Sequence, residues 1–179
     1  EAAFLMVTAD MSGIQRFIYT VATAGAQRSL RSRSFFLEVL MEHYVDEVLS
    51  ACGLSRANLI YSGGGHCYLL LPNTKAARAS AQAVNDRMND WLIDQFGTRL
   101  FLAQGMTPCS ANELTNTPAE QTPYKAIFTR LSTAVSQNKL HRYSASQLRR
   151  LNAETAGLDG RECTVCGSTD VLRESRCPW

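Results

Sequence analysis

The sequence predicts an α+β fold, an antiparallel sheet backed by helices. Short apolar runs rich in β-formers alternate with long stretches in which apolar residues recur every three or four positions, the two periodicities of strands and amphipathic helices. The 179 residues are 45% apolar and 19% charged, with 11 Gly and 5 Pro. That balance can bury a core and argues against disorder, collagen or coiled coil. The length fits one ordinary domain with at most a small appendage.

Phe4-Leu5-Met6-Val7-Thr8-Ala9 reads as a buried strand that ends in an exposed turn at Asp10, punctuated by Ser12-Gly13. Ile14, Phe17, Ile18 and Val21 then form one stripe, predicting a short helix with Ser12 as its N-cap and a break at Gly25. Leu37, Leu40, Met41, Tyr44, Val45, Val48 and Cys52 predict a long amphipathic helix that ends at Gly53. Leu59-Ile60-Tyr61 and Cys67 to Leu71 flank Ser62-Gly63-Gly64-Gly65-His66 and read as a hairpin. A second long helix covers Thr74 to Phe96 and stops at Gly97, and Arg99 to Met106 is a fourth, loosely patterned strand. Ser110 to Pro123 reads as a loop, and Tyr124, Ile127, Phe128, Leu131 and Val135 predict a third helix. After Ser144 the apolar content falls, so 144–179 reads as a linker running into a cysteine knuckle, and 1–143 as the domain proper.

Strand, helix, helix, strand, turn, strand, helix, strand is the β-α-β-β-α-β order of ferredoxin-like domains, with helices on one face of the sheet. Palm-type nucleotide polymerases and cyclases share it. In such folds the end of the first strand and the tip of the central hairpin lie side by side. Here those points hold Asp10-Met11-Ser12-Gly13 and Gly63-Gly64-Gly65-His66.

Two-metal nucleotidyl transfer needs carboxylates at both points, because Mg²⁺ takes oxygen ligands and bridges phosphates. Asp10 can supply one, but the hairpin carries Gly65-His66 where an active palm carries two acidic residues. Three glycines instead allow a base, ribose or phosphate to lie on the main chain. Taken singly, each signal has a plainer reading. The glycines can be a tight turn, His66 a hydrogen-bonded structural histidine and Asp10 a helix cap.

Taken together, Asp10-Met11-Ser12-Gly13-Ile14-Gln15-x-Phe17-Ile18-Tyr19, Leu30-Arg31-x-Arg33-Ser34-Phe35-x-Leu37 and Ile60-Tyr61-x-Gly63-Gly64-Gly65-His66-x-Tyr68-Leu69-Leu70-x-Pro72 resemble the first palm domain of the large signature subunit of type III-A CRISPR effector (Csm) complexes. The resemblance runs from about Phe4 to Cys177. It implies a larger protein with an HD nuclease domain, this palm, a zinc-binding domain, a second palm carrying Gly-Gly-Asp-Asp and a helical C-terminal domain. In that family, target-RNA binding switches on synthesis of cyclic oligoadenylates from ATP between the palms, and cleavage of single-stranded DNA. The resemblance makes Asp10, Ser12, Gly13, Gly63, Gly64, Gly65 and His66 a candidate site for one ATP, with no catalytic residue in this chain and Mg²⁺ held mainly by the other palm. Implied partners are that second palm, other effector subunits, CRISPR RNA and target RNA. A palm that only buttresses its catalytic twin and docks RNA-bound subunits is the alternative.

Cys163-Thr164-Val165-Cys166-Gly167 reads as half of a zinc knuckle, with Cys177 a third candidate ligand for Zn²⁺. The interval to Cys177 is short for a zinc ribbon and the fourth ligand is missing, so the site is expected to be incomplete and the chain to be a piece of something larger. Cys52, Cys67 and Cys109 sit singly and are expected to be reduced thiols. Arg28, Arg31 and Arg33, and Lys139, His141, Arg142, Arg149 and Arg150, form basic clusters that read either as solvated faces or as contacts to RNA phosphates or neighbouring subunits. The formal net charge is +2, so no global field advertises nucleic acid. No membrane-length apolar run is present, and because the cysteine partition favours reduced thiols plus a metal knuckle over a disulfide framework, the chain is expected in the cytoplasm.

Overall fold

A computed structural model describes residues 1–19 and 26–153. Four strands, β1 (Phe4–Ser12), β2 (Leu59–Gly63), β3 (His66–Pro72) and β4 (Phe101–Cys109), form one sheet in the order β2-β3-β1-β4. Every neighbouring pair is antiparallel. This is the arrangement the element order predicts. The helices are α1 (Ile14–Tyr19), α2 (Ala26–Ala51), α3 (Lys75–Phe96), α4 (Ala111–Leu114), α5 (Pro123–Leu140) and α6 (Ala145–Ala153).

Strand β1 is central and covered on both faces, which is why its apolar run is continuous instead of alternating. Leu5, Val7, Ala9 and Met11 face α2 and α3 within the main core, whereas Met6 packs with Ile127 and Leu131 of α5. Helices therefore lie on both faces, not one. Gly105 permits the second layer: a Cβ there would lie 2.8 Å from Val135 Cγ2 and 3.0 Å from the Leu131 carbonyl. The ridge of α5 thus seats directly on β4.

Local capping explains the helix limits. Thr74 accepts from Ala77 N–H and opens α3, and Gly97 closes it by donating to the Ile93 carbonyl. Two short motifs were missed in the sequence. Ser110 and Glu113 form a capping box that builds α4 inside the expected loop. Its Glu113 carboxylate also accepts from Arg130 of α5 at 2.8 Å. Ser144 and Gln147 form the same device, each bonding the other's backbone N–H at 3.2 and 2.8 Å, and start α6 where the sequence reads as linker. Gln147 then donates to Asp90, and Arg150 pairs with Asp90 and Asp94, so α6 is tied to α3.

Strand β4 runs past its expected end through Pro108. Proline is tolerated there because β4 is an edge strand and Pro108 is in phase with the outward-bonding residues Leu102 and Gln104. Two asparagines close that edge. Asn89 of α3 donates to the Leu102 carbonyl and accepts its N–H, both at 2.9 Å, and Asn138 of α5 accepts the Gln104 N–H at 2.9 Å.

Candidate functional site

The site lies at one end of the two central strands. Asp10 pairs with His66 across β1 and β3, and the Met11 N–H donates to the Gly65 carbonyl at 2.8 Å, extending the ladder into the hairpin turn. The end of β1 and the glycine hairpin are thereby one structural unit. Gly64 and Gly65 have φ of 60° and 82°. Positive φ at both central residues defines a type I′ turn, whose twist matches the flanking strands. The base of the hairpin is fixed to α2, where Glu42 accepts from the Ser62 hydroxyl and from Arg56, each at 2.6 Å. The Ser62 hydroxyl and the Arg56 guanidinium hold the Glu42 carboxyl below the usual carboxylate range.

Two local expectations are corrected. Asp10 is not in an exposed turn: β1 continues to Ser12, and the Asp10 side chain is only 14% exposed. Ser12 is not the cap of α1 either. It is the last strand residue, opposite Phe101, and the Gly13 carbonyl accepts the first helical N–H from Phe17 at 2.9 Å. Gly13 has φ of 93°, and a Cβ there would lie 2.0 Å from the Arg99 carbonyl oxygen, so the strand-to-helix corner needs glycine.

Asp10 is also committed. Its Oδ2 accepts from Lys139 Nζ on the last turn of α5, and its Oδ1 meets His66 Nε2 at 2.9 Å. His66 Nδ1 in turn lies 3.3 Å from the Gly64 carbonyl. Each carboxylate oxygen thus meets a nitrogen of another element, so Asp10 ties Lys139 of α5 and His66 of β3 to the end of β1. Among the described residues, no group of three His, Cys, Asp or Glu side chains is placed to hold a metal ion. Cys163, Cys166 and Cys177 lie outside the described residues.

The hairpin is open at Gly64 and covered at Gly65, where a Cβ would lie 2.2 Å from Ile14 Cδ1. A Cβ on Gly64 would meet nothing within 4 Å. Beside it the Tyr61 ring lies over Gly63, with its hydroxyl 3.0 Å from where a Cβ would stand, and the aromatic row continues through Tyr68 at 6.3 Å and Phe128 at 5.4 Å. Lys139 meets Asp10 at this strand end, whereas its sequence neighbours read either as a solvated basic face or as a contact to RNA phosphates or neighbouring subunits. Tertiary folding brings it 129 positions across the chain to Asp10, a distance no local pattern encodes.

The other basic residues mostly have structural partners. Arg33 donates to the Phe17 carbonyl at 2.5 Å and lies over the Phe17 ring, clamping α1 to α2. Arg142 stacks over Phe101 and bonds the Lys139 carbonyl. Cys52, Cys67 and Cys109 are free thiols, as expected. No helix among the described residues is long and apolar enough to cross a membrane.

An antiparallel β2-β3-β1-β4 sheet whose central strand ends against a glycine hairpin, with no carboxylate pair on that hairpin, defines a palm-type domain. The chain belongs to the Csm1 subunit domain B family, whose model matches residues 3–154. It is 52% identical, over 93% of its length, to the CRISPR system single-strand-specific deoxyribonuclease Cas10/Csm1 (subtype III-A) of Mycobacterium tuberculosis. The protein of the same description from Streptococcus thermophilus is 37% identical over 96% of this chain. The chain spans only 22% and 23% of those relatives. Among solved structures, a Csm1–Csm4 cassette in complex with one ATP superposes with a TM-score of 0.74 at 32% identity, covering 86% of this chain and 22% of that one. A cassette in complex with cA3 gives 0.74 at 31%, covering 88% and 22%.

Proposed function

We propose that this chain is the ATP-binding first palm of a type III-A CRISPR large subunit, inactive alone and completed by a second palm of the same protein. The observation that carries the reading is the union of the β1 end with the glycine hairpin. The Met11 to Gly65 hydrogen bond and the Asp10–His66 pairing build a rigid cradle beside the open space over Gly64. A turn without side chains lets a nucleotide approach the backbone closely. The relatives support the ligand class, since similar solved cassettes are complexes with ATP and with cA3.

In this reading Asp10 shapes the cradle and the carboxylates that hold Mg²⁺ come from the second palm. The full-length protein then joins ATP molecules into cyclic oligoadenylates and cuts single-stranded DNA when CRISPR RNA pairs with target RNA, inside a cytoplasmic complex that includes a Csm4-type subunit. Zn²⁺ belongs to the cysteine segment that follows α6. Calorimetric titration of ATP with Mg²⁺ into the full-length protein tests this: saturable ATP binding is expected. Absence of binding overturns it in favour of a palm that only buttresses its twin and docks RNA-bound subunits.

A further inference from the structure

Lys139 is the unassigned group with the most telling position. Its ammonium carries three donors and spends one on Asp10 Oδ2, while its side chain remains 34% exposed. The surroundings carry a surplus of positive charge. Arg142 lies just beyond the end of α5, held by its bond to the Lys139 carbonyl and its stacking on Phe101, and Asp10 is the acidic partner that Lys139 and His66 share. Ser12 stands two residues from Asp10 on the same face of β1, opposite Phe101. A partly exposed lysine tethered by one carboxylate, with an arginine held three residues on and the Ser12 hydroxyl on the same face of β1 as Asp10, is set up to receive an anion and not merely to neutralise Asp10.

We propose that Lys139 is a binding residue for the phosphates of the nucleotide, with Asp10 as the positioning residue that aims it. This deepens the ATP-binding reading and rests on it. The carboxylate fixes the long, flexible side chain in advance, so less rotamer entropy is lost when phosphate oxygens take the remaining N–H donors.

The test is ATP titration of the full-length protein as wild type, Lys139→Gln and Lys139→Arg, over a series of salt concentrations. Lys139→Gln is expected to weaken ATP binding roughly 10- to 100-fold, the effect of removing one charge-assisted contact. It should also make affinity less salt-dependent, while Lys139→Arg stays within about threefold of wild type. Unchanged affinity in Lys139→Gln, an unchanged salt dependence, or equal losses in both variants overturns the proposal. Should Lys139→Gln not fold, an ATP acyl phosphate decides on the wild-type protein. Such a reagent acylates amines lying against the phosphates, so a label on Lys139 that excess ATP blocks supports the proposal, and its absence from Lys139 overturns it. If wild type binds no ATP, the ATP-binding reading itself fails. If wild type binds and the variants do not differ, only the role of Lys139 fails.

Discussion

Asp10 and Gly64 show how differently single residues contribute to one site. Asp10 has the chemistry of a metal ligand, and its two oxygens meet Lys139 and His66, so it ties α5 and β3 to the end of β1. Gly64 has no side chain and contributes space. That gives a sharp prediction. Gly64→Asn creates Asn-Gly, a favoured type I′ pair, so the free energy of unfolding should change by less than about 1 kcal/mol. The new side chain nevertheless enters the open space over the turn, and ATP affinity of the full-length protein should fall about tenfold or more. Denaturant unfolding and calorimetry together read the two effects, and unimpaired ATP binding would move the ligand away from this turn. The residue types of the site were legible in the sequence because glycine triplets and strand-end carboxylates are local features. The partners of Asp10 were not, because Lys139 belongs to a helix more than 100 positions away.

At the scale of elements, long helices and buried strands were legible from periodicity, and short ones depended on capping. Helix α3 has a clear apolar stripe and both of its stops, Thr74 and Gly97, so its extent agrees with expectation within a residue. Helices α4 and α6 are short and carry few apolar residues, and they owe their starts to Ser110-x-x-Glu113 and Ser144-x-x-Gln147, patterns visible in the sequence once capping boxes are sought. Strand β4 was harder to delimit because Pro108 argues for a stop, and only its place at the sheet edge makes the proline harmless. The same edge would invite pairing with another chain if Asn89 and Asn138 did not occupy it. Asn89→Ala strands the buried N–H and carbonyl of Leu102 and should cost about 2–3 kcal/mol. Urea unfolding checks this, and a loss below about 0.5 kcal/mol would mean that water replaces the amide there.

Over the whole molecule, α2 and α3 on one face and α5 on the other bury the central strands so completely that Cys67, in β3, has no exposed surface. Burial pushes its thiol up to about 12. With neither access nor thiolate at pH 8, Cys67 should resist iodoacetamide until the domain opens, whereas the half-buried Cys52 should react sooner. Peptide-level mass spectrometry over a urea series reads this, and rapid labelling of Cys67 in native buffer would contradict the packing described. The sequence by itself determined the fold class and placed the glycine hairpin at the tip between the second and third strands in chain order, because periodicity and turn chemistry act between near neighbours. Only the tertiary structure decided that a helix also covers the second face of the sheet and that Asp10 meets both His66 and Lys139. Those outcomes depend on which distant side chains meet when the layers pack, and charge pairing around the half-buried Asp10 is settled by that meeting.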